Sequence, residues 1–96
     1  MVYKIVVSTR ALHEMEDAID YYAQFSKIVP SQFIGEINRV YSIIQHHPFF
    51  SICYKNIRTI PLKGFPYSLY YVVDESLFIV RILACFHQNR HPKGRP

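Results

Sequence analysis

The stretch Leu77 to Phe86 carries apolar side chains on both alternations, Arg81 excepted. A strand that faces water on one side alternates; one that is apolar on both sides lies between neighbours with its faces covered. This segment therefore reads as the central strand of a sheet, with Phe78, Val80, Ile82, Ala84 and Phe86 on one face. Just before it, Tyr67 to Val73 is dense in aromatic and β-branched residues, which favour a pleated surface. There Phe65, Tyr67, Leu69, Tyr71 and Val73 share a face, and Asp74-Glu75-Ser76 forms the polar break between the two strands. Ile57 to Leu62 reads as a third strand, with Pro61 near its end or at an edge and Lys63-Gly64 as the following turn. The last strand then runs into His87, Arg90, His91, Lys93 and Arg95, so the sheet ends by delivering a cluster of cations.

The first half supplies the cover. Val2 to Val7 alternates, with Tyr3, Ile5 and Val7 on one side and Lys4 on the other, and predicts a further strand. Ser8 and Thr9 offer a helix N-cap. Ala11, Leu12, Met15, Ala18, Ile19, Tyr22 and Phe25 then recur at three and four, the spacing of an amphipathic helix. His13, Glu14, Glu16, Asp17 and Asp20 form its outer, solvated face. Pro30 suits a first helical position, Phe33, Ile37, Val40, Tyr41 and Ile44 mark a second helix, and Pro48 stops it after His46-His47. The short loop between the helices predicts an antiparallel hairpin. Phe49 to Tyr54 is apolar without a clear period, and reads as a loop under the helices or a surface for a partner. The expected architecture is α+β: a two-layer β-α-α-β-β-β domain over residues 1–96, its helical hairpin on one face of a mostly antiparallel four-stranded sheet, with 93–96 as a flexible tail.

Charge is uneven. The chain carries +4, yet residues 1–54 balance at −1 and residues 55–96 at +5. A basic half points to an anionic partner, nucleic acid or acidic protein, against the plainer reading of a solubilising surface. No apolar run is long enough to span a bilayer and Met1 leads directly into a strand, so no membrane role is expected and the cytoplasm is the expected compartment. Cys53 and Cys85 form no CxxC pair and read as reduced thiols. His87 and His91 are four apart, but Pro92 argues against the helix that would align them, so no metal and no cofactor is expected.

What remains is a basic sheet face and tail. Arg58, Lys63, Arg81, His87 and Arg90 would converge there, near Tyr67, Tyr70 and Tyr71. Cations neutralise phosphate, tyrosine stacks on bases and imidazole moves protons near neutral pH, which together suffice for metal-free RNA cleavage. Spacing leaves a second reading level with this one, in which Arg81 pairs with an acid and the tyrosines are core.

The order of these features resembles the RelE/ParE toxin superfamily of bacterial type II toxin–antitoxin systems. The resemblance rests on Tyr3-Lys4-Ile5 before Ser8, the acidic helix closing on Tyr21-Tyr22, Phe33 and Ile37, Pro48, Ile57-Arg58, Phe65-Pro66-Tyr67 with Tyr70-Tyr71, and Ile79 to Ile82 followed by His87, Arg90 and Pro92. It implies that the first strand lies beside the last, and that an antitoxin wraps the toxin. RelE-like members cut messenger RNA in the ribosome, whereas ParE-like members poison DNA gyrase. This chain has Thr59 and Pro61 where RelE-type lysines would fall, and Ser68 in place of an arginine. His87 stands where a post-strand basic residue belongs, and no tyrosine follows it. The Phe-Pro-Tyr hairpin is similar to the ParE and plasmid-stabilisation branch. The expectation is a ParE-like toxin neutralised by a cognate antitoxin, with DNA gyrase as candidate target through Arg58, Lys63, Tyr67, Arg81 and Arg90. The enzyme alternative is a ribosome-dependent endoribonuclease with His87 and Arg90 as catalytic pair. A third is a non-toxic, antitoxin-binding relative.

Overall fold

Strand β1 (Lys4–Val7) passes into helix α1 (Thr9–Ala23) at Ser8, whose extended backbone and side chain make the junction. The Ser8 hydroxyl oxygen accepts the Ala11 N–H and donates to the carbonyl of Leu83, both at 3.0 Å. One side chain thus caps the helix and ties it to the sheet. The structure is a computed structural model that describes residues 2–89 and 94–96. Helix α2 (Val29–His46) follows a tight turn in which the Ser26 hydroxyl accepts the N–H groups of Ile28 and Val29. Pro30, expected at the first helical position, is the second residue of the helix, still within its first turn, and the helix ends ahead of Pro48.

Four more strands complete the sheet: β2 (Ile52–Tyr54), β3 (Ile57–Pro61), β4 (Tyr67–Asp74) and β5 (Ile79–His87). Their order is β1-β5-β4-β3-β2, with β1 parallel to β5 and every other pair antiparallel. The sheet has five strands where four were expected, because Ile52–Tyr54 pairs with β3. That segment showed no period because it is an edge strand whose residues are all exposed. A residue in the left-handed region, Lys55 at φ 59°, makes the tight turn into β3.

Both helices pack on one face. Ala11, Met15, Ala18, Phe33, Ile37, Val40 and Ile44 are buried against Ile60, Leu62, Tyr67, Leu69, Tyr71, Val80, Ile82 and Cys85. Leu12 and Phe25, read as part of the α1 stripe, are 50% and 72% exposed, since Leu12 flanks the buried arc and Phe25 lies beyond the helix end.

A register shift changes the facing of β5. Tyr70 lies opposite Ala84 and Tyr71 opposite Ile82, so Leu83 is an extra residue with no partner on β4. Val80 and Ile82 face the helices, as read; beyond the bulge Cys85 and His87 take that face, and Ala84 and Phe86 turn to the back. The single expected face from Phe78 to Phe86 is therefore two half-faces. Phe86 is still buried, because Tyr70 meets it edge-on at 6.2 Å and Gly94 lies against its ring. The Arg10 guanidinium donates to the Gly94 carbonyl, which brings residues 94–96 onto the sheet. Among the described residues no helix is long and apolar enough to cross a membrane.

Candidate functional site

The strand register decides which of the expected site residues meet. His87, the last residue of β5, lies opposite Tyr67, the first of β4. Their rings meet edge-to-face at 5.0 Å and 84°. The Asn89 N–H donates to His87 Nδ1 at 3.1 Å, which leaves Nε2 to carry the ring proton in the neutral form. The Gln88 N–H donates to the Pro66 carbonyl at 2.8 Å and fixes the exit of the chain from the sheet. Lys63 belongs to the same end, in the β3–β4 turn: its backbone N–H donates to Glu36 Oε2 at 2.6 Å, and its side chain is exposed. Glu36 also accepts two hydrogen bonds at 2.7 Å from Arg39. That paired guanidinium, then the Lys63 N–H, lower the Glu36 pKa.

Arg58 and Arg81 lie further along the sheet and on opposite faces. Arg58 is opposite Tyr71, on the helix side, where its Nη1 donates to the carbonyls of Phe49 and Ser51 at 3.1 and 2.9 Å. Its guanidinium also sits 4.8 Å from the centre of the Phe49 ring. The buried Tyr71 hydroxyl donates to the Pro48 carbonyl at 2.9 Å and meets the Ser51 hydroxyl at 2.6 Å. Arg58 and Tyr71 therefore hold the segment that follows α2. Arg81 is exposed on the back face, opposite Val72 and Val6. A shallow depression of about 610 Å³ at this end includes Lys55, Arg58 and Arg81, but also Asp74 and Glu75. The Asp74 pKa is lowered by the Ser76 hydroxyl first, with the Leu77 N–H and Arg81 adding to it.

The register thus joins His87 to Tyr67 and the Lys63 turn, and separates them from Arg58 and Arg81 by about four residues of β4, on the order of 13 Å. Arg90 and His91 lie outside the described residues. Of the three tyrosines expected near the cations, Tyr67 and Tyr71 are core and Tyr70 is half-buried on the back face. Among the described residues no carboxylate or cation is bonded to the His87 imidazole.

Three residues not read as site residues from the sequence share the His87 end. Asp17, Tyr21 and Tyr22 line a cleft of about 640 Å³ with Pro66, Tyr67 and His87. Asp17 and Tyr21 are one helical turn apart, a spacing that places both side chains on one face of α1. That spacing was visible, but nothing in the sequence showed the face meeting the end of the sheet.

A profile of the family described as "ParE toxin of type II toxin-antitoxin system, parDE" matches residues 5–92. The chain belongs to this ParE toxin family. No curated protein matches it significantly. Among solved structures, this ParE-family fold is similar to the chromosomal ParDE toxin–antitoxin system from P. aeruginosa. That match has a TM-score of 0.69 at 16% identity and covers 90% of this chain and 96% of the other. The RelBE2 toxin–antitoxin complex from Mycobacterium tuberculosis matches at 0.62 and 15% identity, covering 91% and 99%. A free E. coli RelE toxin with two arginines changed to alanine matches at 0.66 and 17%, covering 93% and 86%. These likenesses bear out the α+β fold expected from the sequence, and the family match bears out the expected superfamily.

Proposed function

We propose that this ParE-family chain inhibits growth by binding a cellular protein target, with DNA gyrase the first candidate, and is neutralised in the cytoplasm by a cognate antitoxin. Family membership carries the toxin role. One observation favours binding over RNA cleavage: of the expected cations among the described residues, Lys63 shares the His87 end but Arg58 and Arg81 do not. Arg58 is engaged by two carbonyls and an aromatic ring, and Arg81 lies on the back face beside Asp74. Phosphoryl chemistry without a metal needs cations placed where charge develops, about 3 Å from the phosphorane oxygens. An Arg58 already held by the fold and an exposed Arg81 on the other face do not supply that at His87.

The partner reading draws on the structural neighbours, two of which are toxin–antitoxin assemblies by name. It also draws on the +5 balance of residues 55–96, which suits an acidic segment that folds on binding. The endoribonuclease reading keeps one supporting observation, an imidazole at the mouth of a cleft with Nε2 left to carry its proton. The deciding experiment incubates the purified chain with gyrase and relaxed plasmid, and in parallel with translating ribosomes and messenger RNA. Loss of supercoiling with intact RNA is expected, together with recovery when the product of the neighbouring reading frame is added. Ribosome-dependent cuts would replace this reading with the enzyme, and inertness in both assays would leave an antitoxin-binding relative.

A further inference from the structure

The cleft between α1 and the end of the sheet has walls of an unusual kind. Tyr21 and Tyr22 stand at 69° to one another with ring centres 5.5 Å apart. Tyr22 and Tyr67 stand at 71° and 6.4 Å, and Tyr67 and His87 at 84° and 5.0 Å. Successive near-perpendicular rings form the corners of a box rather than a flat stack. The rings are held from behind: Tyr22 and Tyr67 both pack on the fully buried Phe33, and Phe65 braces Tyr22 at 5.5 Å. Tyr21 at the mouth is 55% exposed. Asp17 lines the same cleft from one turn earlier on α1, and among the described residues no ion pair takes up its charge.

Each wall excludes a class of ligand. A phosphate or a nucleic-acid backbone would meet the Asp17 carboxylate and be repelled. A purely apolar side chain would fill the rings but leave the carboxylate unused. A cation uses both, since the negative faces of aromatic rings attract it within about 6 Å of the ring centre and a carboxylate at the rim adds a charge-assisted hydrogen bond. A planar guanidinium is favoured over an ammonium, because it stacks on tyrosine while its edge N–H groups reach a carboxylate.

We infer that this cleft is a receptor for an arginine side chain presented by a protein partner, recognised by the Tyr21, Tyr22 and Tyr67 rings and by the Asp17 carboxylate. It rests on the toxin–antitoxin reading only in taking that partner to be the antitoxin. The site also assigns a role to the acidic outer face of α1: the partner must be basic there, even where it is acidic against the rest of the surface.

The test titrates the full chain with Nα-acetyl-arginine amide and with its uncharged citrulline counterpart, following tyrosine ring resonances. Saturable shifts of Tyr21 and Tyr22 with the arginine compound alone are expected. Asp17→Asn and Tyr21→Leu, both at exposed positions, should each weaken binding by about fivefold or more while leaving the melting temperature in place. Equal shifts with citrulline, no saturable shift, or indifference to Asp17→Asn would each overturn the assignment. In a second arm the neighbouring reading frame's product is bound to wild type and to Asp17→Asn. A weaker complex with the variant supports the antitoxin as the source of the arginine, and an unchanged one removes the antitoxin from that role. If wild type forms no complex at all, the toxin–antitoxin reading fails while the arginine titration still decides the site.

Discussion

The carboxylate of Glu14, on α1, accepts the backbone N–H of Cys85, on β5, at 3.0 Å. Strand β1 accompanies β5 only as far as Ile82. Beyond that point α1 takes over the flank of β5, with the Ser8 hydroxyl donating to the Leu83 carbonyl and Glu14 accepting the Cys85 N–H. A helix side chain thus completes a sheet edge.

Replacing Glu14 by Ala should cost about 1–3 kcal/mol, the usual penalty for stripping a partly buried N–H of its acceptor. Glu14→Gln keeps an acceptor oxygen and should retain most of the stability. The ion pair to Arg10 at 3.5 Å is half-exposed and adds little. Chemical denaturation of the three proteins, with amide exchange at Cys85, reads the result. Equal losses in both variants would mean that charge, not the hydrogen bond, matters here.

A contrast along the helices tests the packing. Ile37 is 5% exposed in the core, whereas Leu12 is 50% exposed. Ile37→Ala should cost roughly 2–5 kcal/mol and Leu12→Ala roughly 0.5 kcal/mol or less. Similar losses at the two positions would contradict the observed orientation of the hairpin.

The fold was largely legible because hydrophobic period and cap chemistry act locally. Ser8, Pro30 and Pro48 each did what their local chemistry predicts, and Phe33, Ile37, Val40 and Ile44 of α2 point inward. Period failed where one residue was inserted. Leu83 flips Ala84 and Phe86 to the back and puts Cys85 and His87 on the helix side, and nothing in the apolar run announces it. Ile52–Tyr54 escaped notice because an edge strand with all residues exposed has no reason to alternate. The site was less legible for a related reason. Arg58 looks in sequence like any surface cation; only the fold reveals that two carbonyls across a turn claim it. Charge composition says how many cations there are, and register says which of them meet.

Arg58 therefore belongs to stability before it belongs to a target. Arg58→Lys removes the guanidinium that reaches two carbonyls and covers Phe49, and should cost about 1–3 kcal/mol. The melting temperature should fall by several degrees for each kcal/mol, roughly 4–8 °C in a domain of this size. Toxicity well below that temperature should be unchanged. A stable variant that has lost its toxicity would move Arg58 back to the target surface.

Tyrosine ionisation should destabilise the fold at high pH. Burial pushes the Tyr41 hydroxyl up to about 12 from its ordinary value of 10.0, and burial also raises Tyr71 and Tyr22. A raised pKa means the folded state holds the proton longer than the unfolded chain does. The stability this supplies is complete below about 10, and is lost as pH rises toward about 12. Absorbance of tyrosinate should show a late-titrating group that vanishes in Tyr41→Phe, and that variant should lose less stability between those limits. The substitution itself should cost little at neutral pH, because among the described residues the Tyr41 hydroxyl donates to the Met15 sulfur alone, at 3.7 Å. A titration curve identical to wild type would refute the assignment.

His87 separates the two activities still in play. Its ring packs on Tyr67, its Nδ1 receives the Asn89 N–H, and Gln88 pins the backbone to Pro66, so its position is fixed by three independent contacts. His87→Ala loses the two side-chain contacts and leaves the backbone tie of Gln88 to Pro66, so the fold should survive. If the chain cut RNA with His87 as its acid–base group, losing the imidazole would slow cleavage by ~10²-fold or more. If it binds gyrase, the same change should weaken inhibition only modestly, because an edge-on ring at the border of a site contributes less than a central anchor. Arg90→Ala could then cost more than His87→Ala, as arginines often carry interface energy. His87→Gln refines the comparison, since it keeps polarity but cannot shuttle a proton. Equal inhibition of supercoiling by wild type and His87→Gln is the expected outcome. Ribosome-dependent cleavage lost in both His87 variants would instead identify the imidazole as the acid–base group of an enzyme, and would require cations from outside the Arg58 and Arg81 positions to complete its site.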